Sequence, residues 1–179
     1  GEVRKALKRL AALRHRKSAA ACIAAAEFVF SQRAAAHADA ACDNLEALGC
    51  LEDDPNLACL LLGDFADADR AGMPGDDAIV DRVRVRIREM NRRAGREKYF
   101  YLHRPRTLLA ADHRYMGRDR KRGALMALNR VLMGIPGAED AFSVEGAACA
   151  WLKEGFTFVV TLDADTRFLP GTVRRLIGT

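Results

Sequence analysis

Apolar residues change their period several times along the chain, and each change predicts an element. Leu7, Leu10 and Leu13 recur at helical spacing among alanines, which predicts a helix over 2–26, with Phe28-Val29-Phe30 as a short strand after it. Residues 33–51 predict a second Ala-rich helix with Leu45, Leu48 and Leu51 on one face. Asp53-Asp54-Pro55-Asn56 signals a turn, and the run from Leu57 to Phe65 is apolar except for Asp64 near its end. Such a continuous run predicts a strand buried on both faces.

A polar loop comes next, and Pro74-Gly75-Asp76-Asp77 predicts a helix start with carboxylates at the positive end of the dipole. The stretch 81–88 supports two periods. Val83, Val85 and Ile87 alternate as in a strand, while Ile79, Val83, Ile87 and Met90 form a helical stripe; the preceding start signal and the length to Arg93 favour the helix. Tyr99 to Leu102 predicts a short strand, and 121–133 a helix with Leu125, Leu128 and Leu132 inward, closed by Gly134 to Gly137. Phe156 to Asp163 is the clearest strand, aromatic and β-branched, ending in an acid; Pro170-Gly171-Thr172 opens a last helix through Ile177. Strands alternating with helices predict an α/β fold with a mostly parallel sheet and flanking helices. Ligands of such sheets collect outside the carboxyl ends of the strands, where Asp64 and the pair Asp163/Asp165 would meet in one crevice.

The chain has 179 residues, enough for one domain with a sizeable core, and 50% of them are apolar. Much of that share is alanine. The net charge of +5 conceals opposed blocks: residues 39–81 carry twelve acids against one arginine, and residues 82–130 carry sixteen lysines and arginines against four acids. A uniformly basic nucleic-acid coat is not present. Five cysteines (Cys22, Cys42, Cys50, Cys59, Cys149) contain no C-x-x-C pair and make no metal-ligand spacing with the histidines, so free and mostly buried thiols are expected. The longest apolar run, Ala19 to Phe30, includes Glu27 and is too short for the roughly 20 residues of a spanning helix.

Three segments could carry chemistry. Asp163-Ala164-Asp165 sets two hard oxygen ligands on a turn at a strand end, which suits Mg²⁺ or Mn²⁺ carrying a diphosphate. The same spacing in Asp67-Ala68-Asp69 shows how little the motif says outside that context. Arg118-Asp119-Arg120-Lys121-Arg122-Gly123 precedes a helix, where cations and a glycine could meet phosphate oxygens; a solvated basic helix start is the plainer reading of the same residues. Tyr101-Leu102-His103-Arg104-Pro105-Arg106 joins an aromatic, a histidine and two guanidiniums, candidates for substrate or phosphate contacts, although a lone His103 is more often structural.

Several segments in order resemble one family. Pro55-Asn56-Leu57 with Leu62-Gly63-Asp64-Phe65-Ala66-Asp67-Ala68, then Phe100 to Arg106, Tyr115-Met116-Gly117-Arg118-Asp119-Arg120-Lys121-Arg122-Gly123, Leu128-Asn129-Arg130 and Val160 to Thr166 are similar to the glucosyltransferase domain of cyclic β-1,2-glucan synthases. The resemblance runs over residues 44–179 and leaves 1–43 as a helical region of its own. It implies a GT-A, nucleotide-diphospho-sugar fold, incomplete in this chain, and the donor-binding half of an inverting glucosyltransferase that moves glucose from UDP-glucose to a growing β-1,2-glucan acceptor. It implies Asp64 near the uracil, Lys121, Arg122 and Gly123 on the nucleotide, and Asp163 and Asp165 on a Mg²⁺ or Mn²⁺ ion and the diphosphate. It also implies that the chain is part of a larger membrane protein, on the cytoplasmic face of a bacterial inner membrane, with the catalytic base downstream of Thr179.

Two departures stand beside it. The opening strand of such a fold is not recognisable in residues 19–30, and Tyr115 and Arg118 stand where the family has aromatics around its Met-Gly pair. A non-catalytic relative that keeps the fold and binds a partner, and a nucleic-acid module on residues 82–130, are the competing readings; the expectation for nucleic acid is that none binds.

Overall fold

The structure is a computed structural model that describes residues 21–30, 34–52, 54–110, 113–143, 156–163, 166–167 and 169–177. The part of the expected 2–26 helix before residue 21, Cys149 and Asp165 lie outside them. The described elements are β1 (Ala21–Phe30), α1 (Ala34–Leu51), β2 (Leu57–Phe65), α2 (Asp76–Ala94), β3 (Tyr99–Arg104), β4 (Thr107–Leu109), β5 (Arg114–Met116), α3 (Arg120–Leu132), a 3-10 turn (Ala138–Ala141), β6 (Phe158–Asp163) and α4 (Thr172–Ile177). The class is α/β, with a four-stranded parallel sheet in the order β3-β2-β1-β6 and a small antiparallel hairpin, β4-β5.

Residues 21–26 correct the first expectation. They are strand, not the end of a helix, and they join the expected Phe28–Phe30 strand in one element, a first strand that is not recognisable as such in the sequence. Their backbone pairs on one side with β2, from Ala21 opposite Leu57, and on the other with β6, from Ala21 opposite Phe158. Alanine is the best helix former, so composition pointed to a helix; pairing on both sides of the segment overrides a propensity of only fractions of a kcal/mol per residue. Because β1 lies in the middle of the sheet and α1 runs through residues 43 and 44, the described residues before 44 are built into the same layers as β2 and β3.

The β2 expectation holds, with eight of its nine residues buried. Its alternate residues face two cores. Leu57, Cys59 and Leu61 pack with Leu45, Leu48, Val83, Ile87 and Met90 of α1 and α2. Ala58, Leu60 and Leu62 pack with Phe100, Leu102 and the α3 residues Ala124, Leu128 and Val131. Two helices on one face and a third on the other make three layers. Within α2 the helical period won over the strand alternation, since Val80, Val83, Ile87 and Met90 are buried while Val85 is exposed. Gly75 and Gly95 bracket that helix with left-handed φ values of 93° and 67°. On α1 the predicted stripe is shorter than expected, because Leu51 at its end is exposed. β6 starts at Phe158 rather than Phe156, lies at the sheet edge and leaves Phe158 and Val159 exposed. The β4-β5 hairpin was not anticipated; its three-residue strands are too short to show a period.

Candidate functional site

The strand order fixes where a ligand could sit. The chain steps from β1 to β2 to β3 in one direction, then crosses α3 and places β6 on the other side of β1. Neighbouring loops diverge at such a reversal, which opens a crevice at the carboxyl ends of the strands. Register aligns those ends: Asp64 is opposite Arg104 on β3, and Asp163 is opposite Ala26 on β1, itself opposite Leu62. Asp64 and Asp163 therefore end strands two positions apart in the sheet, a backbone separation of about 10 Å at the usual strand spacing.

Lys121, in the first turn of α3, forms an ion pair with Asp163 at the end of β6. The pair joins two segments far apart in sequence that were singled out separately. Both side chains keep access to solvent, 33% for Lys121 and 60% for Asp163, so their charges are available to a ligand. Arg122 beside them is exposed.

Asp64 is in a different situation. Arg104 Nε donates to Asp64 Oδ1 at 2.7 Å, and Arg104 Nη2 pairs with Oδ2. The same guanidinium donates to two carbonyls of the segment before α3, Arg118 O from Nη1 at 2.9 Å and Arg120 O from Nη2 at 2.8 Å. Arg104 is 8% exposed. Its donors are directed into the protein.

Arg106 is spent in the same way. It donates to Ala66 O at 2.6 Å and Ala71 O at 3.3 Å, pairs with Asp76 at 2.5 Å, and lies 4.5 Å over the Phe65 ring. These bonds fix the loop from β2 into α2, and Asp76 in turn accepts from Met73 N at 2.8 Å. His103 is 1% exposed, with its Nδ1 2.8 Å from the Tyr101 hydroxyl and its ring edge-on to Phe65 at 4.0 Å. Burial pushes the imidazole down to about 3, so it is neutral at physiological pH. The three candidate contacts of the Tyr101–Arg106 segment are thus buried among protein groups, and their geometry is that of residues that shape the site.

Asp67, of the second acidic pair, bonds Arg120 at 2.8 Å, and the Ala68–Tyr115 bridge ties its loop to the hairpin. A cleft of about 440 Å³ borders the other flank of α3, along Gly123, Met126 and Arg130 and past Arg118 and Asp140. Burial pushes the Cys42 thiol up to about 11 and that of Cys59 to about 12, which makes both poor nucleophiles. Cys50 is exposed, the exception among the described thiols to the expectation that most are buried. Among the described residues no three His, Cys, Asp or Glu side chains gather to hold a metal, and no helix is long and apolar enough to cross a membrane. Asp163 alone gives a described oxygen ligand for a divalent ion. That fits an ion held by one or two carboxylates together with substrate phosphates, not a site made wholly of protein ligands.

Fold and site define an open, doubly wound α/β protein with a charged crevice at its switch point. The chain is related to the cyclic beta-(1,2)-glucan synthase NdvB of Rhizobium meliloti (strain 1021): the two are 32% identical over 145 residues, a match that covers 79% of this chain and 5% of the relative. The chain thus spans a small part of the length of that relative. No family model matches the chain.

The ion pairs could not be read from spacing, because their partners are 30 or more positions apart. One signal was available: Asp64 stands near the end of one predicted strand and Arg104 two residues past the end of another, so neighbouring parallel strands would bring them close to level.

Proposed function

We propose that this chain is the donor-binding part of a glycosyltransferase of GT-A type, and that its crevice takes the diphosphate of a nucleotide sugar, UDP-glucose in the first instance. The observation that carries the reading is the meeting of Lys121 with Asp163 at the switch point of the sheet, in a chain related to a glucan synthase. An ammonium and a carboxylate that pair with each other across a crevice can exchange partners, the ammonium for a phosphate oxygen and the carboxylate for a metal that travels with the diphosphate.

Asp163, with Asp165 next on the turn, would hold Mg²⁺ or Mn²⁺, which neutralises charge that develops on the leaving diphosphate. Lys121 and Arg122 supply fixed cations beside the same oxygens. Asp64, held by Arg104, marks the nucleoside end of the crevice. Transfer with inversion needs a carboxylate base for the acceptor hydroxyl; this base, the glucan acceptor and the membrane-bound remainder of a larger protein complete the reading.

Titration calorimetry of UDP into the full-length protein with Mn²⁺ tests it. Wild type is expected to bind, and Lys121→Ala to bind about tenfold more weakly or worse, the scale of one lost charge-assisted bond of roughly 1.5–3 kcal/mol. Asp163→Asn should remove the metal dependence. A wild type that ignores UDP overturns the reading.

A further inference from the structure

We propose that Arg104 is a positioning residue of the donor site: it locks the end of β2 to the turn that opens α3, and Gly117 and Gly123 leave room for the Arg104–Asp64 pair and for the Arg118 carbonyl that Arg104 holds. The inference rests on the donor-site reading and assigns Arg104 no contact with the ligand.

The turn is the part that needs holding. Asp119 and Arg120 follow each other with φ of 54° and 45°, a left-handed conformation that aspartate tolerates better than most residues and arginine does not favour. Each costs on the order of 1–3 kcal/mol and persists only where its surroundings over-determine it. No side chain caps this helix start. The determination comes from Arg104, whose two outer nitrogens hold the carbonyls on either side of Asp119, those of Arg118 and Arg120. The inner edge of the same fork is bidentate on Asp64. A planar guanidinium can span three acceptor groups in this way, and a lysine ammonium cannot.

The glycines are a consequence of that arrangement. A Cβ on Gly117 would lie 2.7 Å from Asp64 Oδ2 and 2.8 Å from Arg104 Nη2. A Cβ on Gly123 would fall on the Arg118 carbonyl oxygen and lie 2.8 Å from Arg104 Nη1. A glycine in a basic segment before a helix suggests close approach of a phosphate to the backbone; here the space beside Gly117 is filled by the Arg104–Asp64 pair and that beside Gly123 by the Arg118 carbonyl. Lys121 is the next residue after the locked turn, so the position of Arg104 sets where the lysine that meets Asp163 begins its reach.

A double-mutant cycle read by UDP calorimetry on the full-length protein separates this role from a ligand contact by the glycine. Arg104→Lys is expected to weaken UDP binding by about 10- to 100-fold, the loss typical when a partner that orients a binding group is removed, with a native circular dichroism spectrum. Gly117→Ala should weaken binding in the wild-type background and add little in a background with both Arg104→Ala and Asp64→Ala, where the two crowding side chains are gone. An equal loss in both backgrounds assigns the glycine to the ligand and overturns the proposal. Hydrogen exchange reads the lock without ligand: amides 118–123 should exchange about tenfold faster in Arg104→Lys or, if that variant does not fold, in Gly117→Ala, a local opening eased by roughly 1.4 kcal/mol. Unchanged exchange overturns the lock. A wild type that binds no UDP overturns the donor-site reading, and the exchange experiment then decides the lock by itself.

Discussion

Two sets of arginine–carboxylate pairs divide the labour in this protein. Between α1 and α2, Arg82 pairs with Asp39 at 2.6 Å, Arg86 with Asp43, and Arg93 with Glu46 at 2.7 Å. At the carboxyl end of the sheet, Arg104 pairs with Asp64 and Arg106 with Asp76. The residue types and distances are similar, but the surroundings differ. Arg82 is 54% exposed and Arg104 is 8% exposed. In the ladder, each pair exchanges water for a partner in high dielectric and gains little. At the strand ends each charge has lost its water, so the partner is indispensable. The opposed charge blocks of the sequence are therefore two things at once. Three acids of the acidic block and three arginines of the basic block meet each other across two helices, which leaves fewer cations for an anionic partner than the count of sixteen suggests.

The sharpest way to break the comparison is at Asp64. Asp64→Ala strands a buried guanidinium and is expected to cost about 3–5 kcal/mol in guanidinium chloride unfolding. A cost below about 1 kcal/mol would put the strand-end pair in the same category as the ladder. Next comes acid. His103 lies among Arg104, Arg106, Arg84 and Asp76, and its imidazole is held near 3 against an ordinary 6.5. Between those values the unfolded chain binds a proton that the folded chain refuses. The contribution of His103 to stability is complete above about pH 6.5 and is lost as pH falls toward 3, with a slope approaching 1.4 kcal/mol per pH unit. His103→Gln should flatten that part of the denaturation-midpoint profile; an unchanged slope would mean the ring is not the group responsible. The smallest effect is expected in the ladder, where Arg82→Ala should leave the unfolding midpoint within error and insensitive to added salt. A clear, salt-dependent loss would show the ladder to be structural.

How much could be read in advance obeys the same division. The buried strand β2 and the helices α2 and α3 were legible because one-sided or two-sided burial writes a period into the sequence. Residues 21–26, unlike the Phe28–Phe30 end of the same strand, were illegible because small residues are compatible with a helix and with a strand packed between neighbours, and only the pairing decides. For the site, the acid at the end of each apolar run pointed to the crevice, and Lys121 was named with it. What spacing could not convey is whether a charge faces a ligand or a neighbour. His103, Arg104 and Arg106 have the composition of a binding segment and the burial of a framework, a distinction that depends on Asp64, Asp76 and the carbonyls around them.

The order of the strands also has a consequence in time. β1 pairs with β2 across the α1 crossover, but its other edge waits for Phe158–Asp163, so half of the central pairing joins the two most distant parts of the sheet. Closing so long a loop is entropically costly, and long-range parallel pairing is slow. Asp163 then reaches Lys121 only when that final strand docks. The charged pair in the crevice can exist only in chains whose sheet is complete, so a partly assembled molecule would present its basic helix start without the carboxylate that answers it.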